Sequence, residues 1–455
     1  MAVLNPRRRA AARQKRAVAA SRASGSPREL KPVADPPTPQ HRSPVTAWLS
    51  SPALDFYALI VLGILLVGFG LMMVLSSTAI SNIAVDRSGY AGLLQQGRFA
   101  ILGIVAAVVA ALVPIRVFKR YAWPFMVFAI LFQLLVFVPG LGWAVGGNRN
   151  WIRIAGFTAQ PSELLKLALA LWMGAVLAIK RPLLREFRHL LIPAVPMFGL
   201  VLLLVALGHD LGTTLVLACL VAGSLWVAGV PRRVFAAFGA VGLIGVIGLT
   251  VTSKNRMGRI LAWLTGDCPD DLCMQPVHGL QALAEGGWWG VGLGASRQKW
   301  GRLPAAANDY IFAIIGEELG LFGTLTVILL FVALALVLAR MVVRHHGNPF
   351  VQITIAGVSA WLFGQALMNM CVVVGLLPVI GVPLPFISAG GSALVVSLMA
   401  LGVMISFARH EPGAQEAISA SFGRVRRSVA VLPVRRRGAS RPSRSARKSS
   451  RKAGS

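Results

Sequence analysis

A carboxylate stands where a long polar stretch of this chain runs into an apolar one. The stretch reads Leu303-Pro304-Ala305-Ala306-Ala307-Asn308-Asp309-Tyr310-Ile311-Phe312-Ala313-Ile314-Ile315-Gly316-Glu317-Glu318-Leu319-Gly320. At such a junction Asp309 can meet water, a headgroup and an apolar interior at once. Glu317 and Glu318 lie further along, at a depth where carboxylates are costly. A second polar cluster, Asn148-Arg149-Asn150-Trp151-Ile152-Arg153, continues through Gln160-Pro161-Ser162-Glu163-Leu164-Leu165-Lys166. Arginine offers a planar fork for phosphate oxygens, so Arg149 and Arg153 around Trp151 read as a phosphate-binding floor. An aromatic anchor between snorkelling cations accounts for the same residues equally well. Glu163 and Lys166, three apart, share one helix face, and Pro161 suits a first helical turn. Asp210, in His209-Asp210-Leu211-Gly212-Thr213-Thr214, is placed as a helix N-cap rather than a catalytic group.

Several chemistries lack their motifs. No phosphate-binding Gly-x4-Gly-Lys-Ser/Thr loop is present. Gly290-Val291-Gly292-Leu293-Gly294 does not open a dinucleotide-binding unit, and the histidines form no helical metal clamp. No Ser or Cys has an evident His partner in the sequence. An enzyme built this way needs a substrate that brings its own leaving group.

The elements that must position these residues are membrane helices. The 455 residues are only 13% charged, and the mean hydropathy is +0.70, yet the net charge is +29. The charge is segregated into an N-terminal stretch (Arg7 to Arg16) and a C-terminal one (Arg435 to Lys452). Between them lie apolar runs near the roughly 20 residues that a bilayer requires. The predicted class is an all-α polytopic membrane protein of about ten spans, near 55–78, 96–115, 120–139, 159–179, 190–208, 211–229, 233–252, 309–340, 350–375 and 391–408. Strand alternation at barrel spacing is missing. Without an apolar cleavable leader, the first span is expected to act as an uncleaved signal anchor. Arg116, Lys119 and Arg120, then Lys180, Arg181, Arg185 and Arg188, then Arg232 and Arg233, then Arg340 and Arg344 mark alternate loops. The positive-inside rule places these loops and both termini in the cytoplasm. Segments 140–158, 253–308 and 376–390 then lie outside, the second being a large loop.

This divides the chain into a basic tail over 1–54, a ten-helix domain over 55–408 and a basic tail over 409–455. The tails are too charged and too poor in large apolar residues to fold. They suit anionic lipid, with an acidic cytoplasmic partner as the alternative; no nucleic-acid partner is expected. Cys219 and Cys371 lie inside spans as small apolar residues. Cys268 and Cys273 share the large outer loop, where oxidising conditions favour a disulfide over a metal site.

Four segments together resemble the SEDS family of polytopic peptidoglycan glycosyltransferases. They are Gly147 to Lys166, Asp210-Leu211-Gly212-Thr213-Thr214, Asp309 to Gly320, and Gly375-Leu376-Leu377-Pro378-Val379-Ile380-Gly381-Val382-Pro383-Leu384-Pro385-Phe386-Ile387-Ser388-Ala389-Gly390-Gly391-Ser392. Gly316 to Gly320 and Gln365-Ala366-Leu367-Met368-Asn369 look like the division branch more than the elongation branch. The resemblance implies a ten-helix SEDS fold in a bacterial cytoplasmic membrane and action at the division septum. It implies polymerisation of lipid II at the outer face, with release of undecaprenyl pyrophosphate. It also implies a single-span class B penicillin-binding protein as crosslinking partner, with other division proteins. The family's essential Asp falls on Asp309. Arg149, Trp151, Arg153, Glu163, Lys166, Ser388, Gly390 and Gly391 are candidate substrate-binding positions; Asp210, Glu317 and Glu318 are supporting ones. His209 stands where the family usually has Pro, Ala305-Ala306-Ala307-Asn308 where it has Glu-Ala-His-Thr, and Ala389 where it has Tyr.

For such a reaction a carboxylate within reach of the acceptor hydroxyl is the natural general base. Arg149, Arg153 or a divalent cation (Mg or Mn, with Asp309 as a candidate ligand) would neutralise the leaving pyrophosphate; no motif demands the metal. On one continuous helix, Gly316, Gly320 and Gly323 fall within about 40° of Asp309, either a packing face or a groove for a lipid chain. Glu318 then faces away from Asp309. A lipid II flippase, an elongation-type polymerase and a recruiting scaffold are the competing functions.

Overall fold

The computed structural model describes residues 51–419 except 52, 146–147, 155–156, 185–191, 252–253, 267–269, 301–302 and 412. Of the proposed tails, 1–50 and 420–455 lie outside the described residues, as does Cys268.

The helices are α1 Ala53–Ile83, α2 Ala91–Leu112, α3 Ile115–Leu134, α4 Pro161–Lys180, α5 Ala194–Leu207, α6 Leu211–Ala228, α7 Arg232–Val251, α8 Lys254–Thr265, α9 Asp270–Gly286, α10 Ile311–Arg344, α11 Pro349–Val373 and α12 Gly391–Arg409. Among the described residues, nine helices are long and apolar enough to cross a membrane, and α5 is a shorter apolar helix. At about 1.5 Å per residue α5 falls short of a 30 Å hydrocarbon core. It starts at Ala194, with Pro193 in the N-cap position.

Proline and glycine mark several of the helix ends. Pro161 and Pro349 stand in first turns, where the missing N–H costs nothing. Gly229 ends α6 in the left-handed conformation. Helices α4, α11 and α12 are the most enclosed, with α11 packed on α4, α6 and α10, and α12 on α2. Helix α7 is peripheral, exposing Val241, Leu243, Ile244 and Ile247, as expected of a surface whose solvent is lipid. At one end of the bundle the buried Asp55 pairs with Arg340 at 3.0 Å and Arg344 at 3.7 Å, and Arg344 pairs with Glu411 at 2.6 Å. Packing therefore continues past Arg409 into the first residues assigned to the C-terminal tail.

At the other end, segment 140–158 is a small antiparallel sheet, β1 Gly142–Val145, β2 Asn148–Ile154 and β3 Phe157–Ala159, in the order β1-β2-β3. The register of β1 and β2 shifts between Trp143 and Ala144, so Trp143 opposes Trp151 and Ala144 opposes Arg149. Asn150 is left as the extra residue of a bulge, a device that re-aims side chains.

Two expectations built on one continuous helix are corrected. Asp309 precedes α10, and α10 itself is broken at Gly320, with φ 67 and ψ −161. The glycines do not line a groove beneath Asp309. Gly316 packs against Leu283, while Gly320 meets the backbone of Trp288 and Gly290. The break exposes backbone groups that a membrane cannot solvate, and a neighbouring segment satisfies them. Val291 N donates to Glu317 O at 2.9 Å, Gly292 N to Glu318 O at 3.0 Å, and Leu321 N to Gly287 O at 2.9 Å. Replacing Gly320 by Ala should lower stability by about 1–3 kcal/mol from backbone strain alone, because its φ/ψ is open essentially only to glycine. The new Cβ would also stand 2.4 Å from Gly290 N. Thermal unfolding in detergent checks this, and an unchanged midpoint would refute the break.

Candidate active site

A cavity of about 290 Å³ opens at the end of the bundle opposite the Asp55–Arg340 cluster, walled by the sheet, α4, α6, α8, α9, α11, the 374–390 segment and the start of α12. Its polar lining comes from Asn148, Asn150, Gln160, Glu163, Lys166 and Asp210 on one side and from Arg259, Asn308, Asp309 and Gln365 on the other.

Asp309 is half-buried on this wall, and among the described residues its carboxylate makes no hydrogen bond. Tyr310, not Asp309, occupies the N-cap position of α10. The backbone holds the carboxylate in place. Asn369 Nδ2 donates to Asp309 O at 2.7 Å, Ser388 Oγ to Asn308 O at 2.6 Å, and Ala389 N to Ala307 O at 2.9 Å. Burial pushes the Asp309 carboxyl up to about 6, Asp210 adds to the rise, and Arg259 opposes it.

Asp210 caps α6, accepting from Thr213 N at 2.9 Å, and its carboxylate also takes Asn150 Nδ2 at 2.6 Å and Gln160 Nε2 at 3.2 Å. The capping role expected of it is present, and a place in the cavity wall is added. Lys166 is buried rather than snorkelling. Its Nζ lies 2.9 Å from Glu163 and from Gln365 Oε1, and 4.8 Å from the Trp361 ring centroid. Gln365 Nε2 then donates to Pro383 O at 2.8 Å, tying α4 and α11 to the 374–390 segment.

Trp151, Glu163, Lys166, Asp210, Asp309 and Gly390 therefore converge on one cavity, as their segments suggested. Four substrate-binding candidates do not line it, nor do the supporting Glu317 and Glu318. Arg149 turns towards Phe137 O, at 3.4 Å, and Arg153 lies exposed over the Trp143 ring, 5.5 Å from its centroid. The bulge presents Asn150 and Trp151 to the cavity instead, and the two arginines expected as a phosphate-binding floor do not line it. Ser388 supports Asn308 from behind, also receiving Leu384 N at 2.8 Å. Gly391 starts α12 against Phe99, where a Cβ would approach to 2.5 Å. Glu317 and Glu318 bond instead to the loop before Asp309.

Beside Lys166, which is paired with Glu163, the cavity has a second cation in Arg259 of the large loop. Helix α8 carries Arg256, Arg259 and Trp263 at i, i+3 and i+7, one helical face. Arg256 donates to His209 O at 2.5 Å, and Trp263 Nε1 to Gly375 O at 2.9 Å. The helix is thereby fastened at the α5–α6 turn and beyond α11, with Arg259 between the two anchors. That spacing was the signal available for it. The amides of Asn150, Gln160, Asn308 and Gln365 gave none, since isolated amides in a sequence mark no chemistry. Cys273 is buried and disulfide-bonded, and Cys219 and Cys371 are free. Among the described residues no group of three or more His, Cys, Asp and Glu converges on a metal position.

A bundle of long apolar helices with a polar cavity at one end defines the chain as a polytopic membrane protein. A family profile described as cell cycle protein FtsW, RodA and SpoVE matches residues 57–412, and the chain belongs to that family. It is 37% identical over 389 residues to a probable peptidoglycan glycosyltransferase FtsW of Mycobacterium tuberculosis, covering 85% of this chain and 74% of that one. It is 35% identical to the protein of the same name from Geobacter sulfurreducens over 79% of this chain and 97% of that one. Among solved structures it resembles a chain of a peptidoglycan synthase complex that coordinates polymerization and crosslinking, at 25% identity and TM-score 0.65, covering 78% and 98% of the two chains. The rod shape determining protein RodA of Thermus thermophilus shares the fold at TM-score 0.56 and 24% identity, covering 78% and 97%. The fold is thus the SEDS fold, and relatives named for FtsW favour the division branch over the elongation branch.

Proposed function

We propose that the chain is a division-branch peptidoglycan glycosyltransferase that joins lipid II units at the outer face of a bacterial cytoplasmic membrane, with Asp309 as general base. The observation that carries the proposal is the unbonded Asp309 carboxylate facing a polar cavity beside Arg259. The base takes the proton of the acceptor sugar hydroxyl as that oxygen attacks the donor's anomeric carbon. The anomeric bond to pyrophosphate breaks, and undecaprenyl pyrophosphate leaves with the electron pair. Arg259 neutralises the charge that gathers on the leaving group. The Asp210 carboxylate is already taken up by Thr213, Asn150 and Gln160, so beside Asp309 it is not a free second ligand for a divalent cation. The positive-inside rule puts the cavity outside and the Arg340–Arg344 end in the cytoplasm. A penicillin-binding protein at the division septum would crosslink the product. The resemblance to a chain of a peptidoglycan synthase complex supports that association. Purified protein incubated with lipid II and no other polymerase tests the function. Polymer supports it; translocation without polymer indicates a flippase, and neither indicates a scaffold.

The acid limb of the polymerisation rate should fall near pH 6. The base works ionised, and the folded-state Asp309 carboxyl is raised from 3.8 to about 6, so activity is lost as pH drops through that value, about tenfold per unit below it. Replacing Arg259 by Ala removes the group that lowers it, and the limb should move to higher pH. Rate–pH profiles of the two proteins check this; coincident limbs would exclude Arg259 as a neighbour of the base.

A further inference from the structure

Glu317, Glu318 and Lys299 are fully or almost fully buried, at 0%, 0% and 5% exposure, yet none of them lines the cavity. Glu317 lies six residues into α10, about 9 Å from its start. Ionisable groups at that depth are costly and call for a stated role. Their partners supply one. The Glu317 carboxylate accepts from Ser296 Oγ at 2.5 Å, Arg297 N at 2.5 Å and Gln298 N at 3.4 Å. Glu318 pairs with Lys299 Nζ at 2.7 Å and accepts from Ser76 Oγ of α1 at 2.5 Å, while Lys299 Nζ also reaches Ser76 O at 3.2 Å.

Both carboxylates thus grip consecutive residues, 296–299, of the segment that leads to Asp309. The grip is possible because 287–292 already pairs with the break in α10. Gly290 and Gly320 let the two backbones meet, since a Cβ on Gly290 would stand 2.2 Å from Glu318 O. From Lys299 the chain runs to Leu303, whose N–H returns to Gln298 O at 2.9 Å and whose side chain is buried. Gln275 of α9 then holds Pro304 O at 3.2 Å, and Ser388 holds Asn308 O. The segment is pinned at its root by α10, at its middle by α9 and at its end by the 374–390 segment.

We propose that Glu317, seconded by the Lys299–Glu318 pair, is a positioning residue that sets the place and burial of Asp309 through the 296–308 segment. It touches no reacting atom. It fixes the root from which the base is presented. The inference rests on the reading of Asp309 as the base. The charged groups facing Asp309 are Asp210 from the head of α6, Arg259 from α8 and the Glu163–Lys166 pair from α4; α11 and α12 bring uncharged Gln365 and Ala393.

The test uses full-length protein in nanodiscs, comparing wild type, Glu317→Gln and the milder Ser296→Ala. Hydrogen exchange over 303–309 should rise at least about tenfold in Glu317→Gln, with smaller change in α4 and α11. The polymerisation rate at neutral pH should fall, and the acid limb should shift from near pH 6 towards the ordinary carboxylate range as Asp309 gains solvent. Ser296→Ala should move both readouts the same way by less. A role confined to overall stability would shrink the rate at every pH and leave the limb in place, and that result overturns the proposal. Unchanged exchange over 303–309 overturns it as well. If Asp309 were not the base, Asp309→Asn would polymerise normally, while loop exchange would still report on the grip.

Discussion

Asp309→Asn should lower lipid II polymerisation by about 10²- to 10⁴-fold, the usual range for loss of a general base, while the protein remains folded. Asn keeps the shape and removes the proton acceptor. The fold has little to lose, because among the described residues the carboxylate makes no hydrogen bond and Tyr310 occupies the N-cap. Stability should if anything rise. Burial raises the carboxyl from 3.8 to about 6, so the fold favours its protonated form, and at neutral pH the ionised group opposes folding. The benefit of removing it is on the order of 1–3 kcal/mol from the size of the shift, nearer the lower end because the cavity gives solvent access. Polymer yield, with thermal unfolding as the control, checks both parts. Near-normal polymerisation by Asp309→Asn rules out the assignment.

The second large effect is on stability. Lys166→Met should destabilise the protein by about 3–5 kcal/mol, because it leaves Glu163 buried without its cation. The same change removes the bond to Gln365 and the contact with the Trp361 ring, and Gln365 is what holds Pro383. The double variant Glu163→Gln with Lys166→Met should recover much of the loss, since no unpaired charge then remains. Thermal unfolding of the two proteins decides it. If the double variant unfolds no later than the single one, the cost lies in the lost packing and hydrogen bonds around Lys166. If Lys166→Met alone is silent, the pair contributes nothing.

The sequence determined the class of fold, because a membrane forces each apolar span to be a helix that satisfies its own backbone. That local requirement is readable in runs of residues and placed the spans near their observed ends. It also determined that Asp309 stands at a polar–apolar junction and that Glu163 and Lys166 share a face, since both follow from position along one element. Tertiary structure decided what no single element contains. A register shift between two strands sends Asn150 into the cavity and leaves Arg149 and Arg153 outside it. A break at Gly320, whose flanking backbone groups bond to residues 287–292, cancels the helical arithmetic that linked the glycines to Asp309. Arg259 reaches the site because Arg256 and Trp263 find carbonyls on separate parts of the bundle. These outcomes depend on partners distant in the chain, and periodicity carries no record of them.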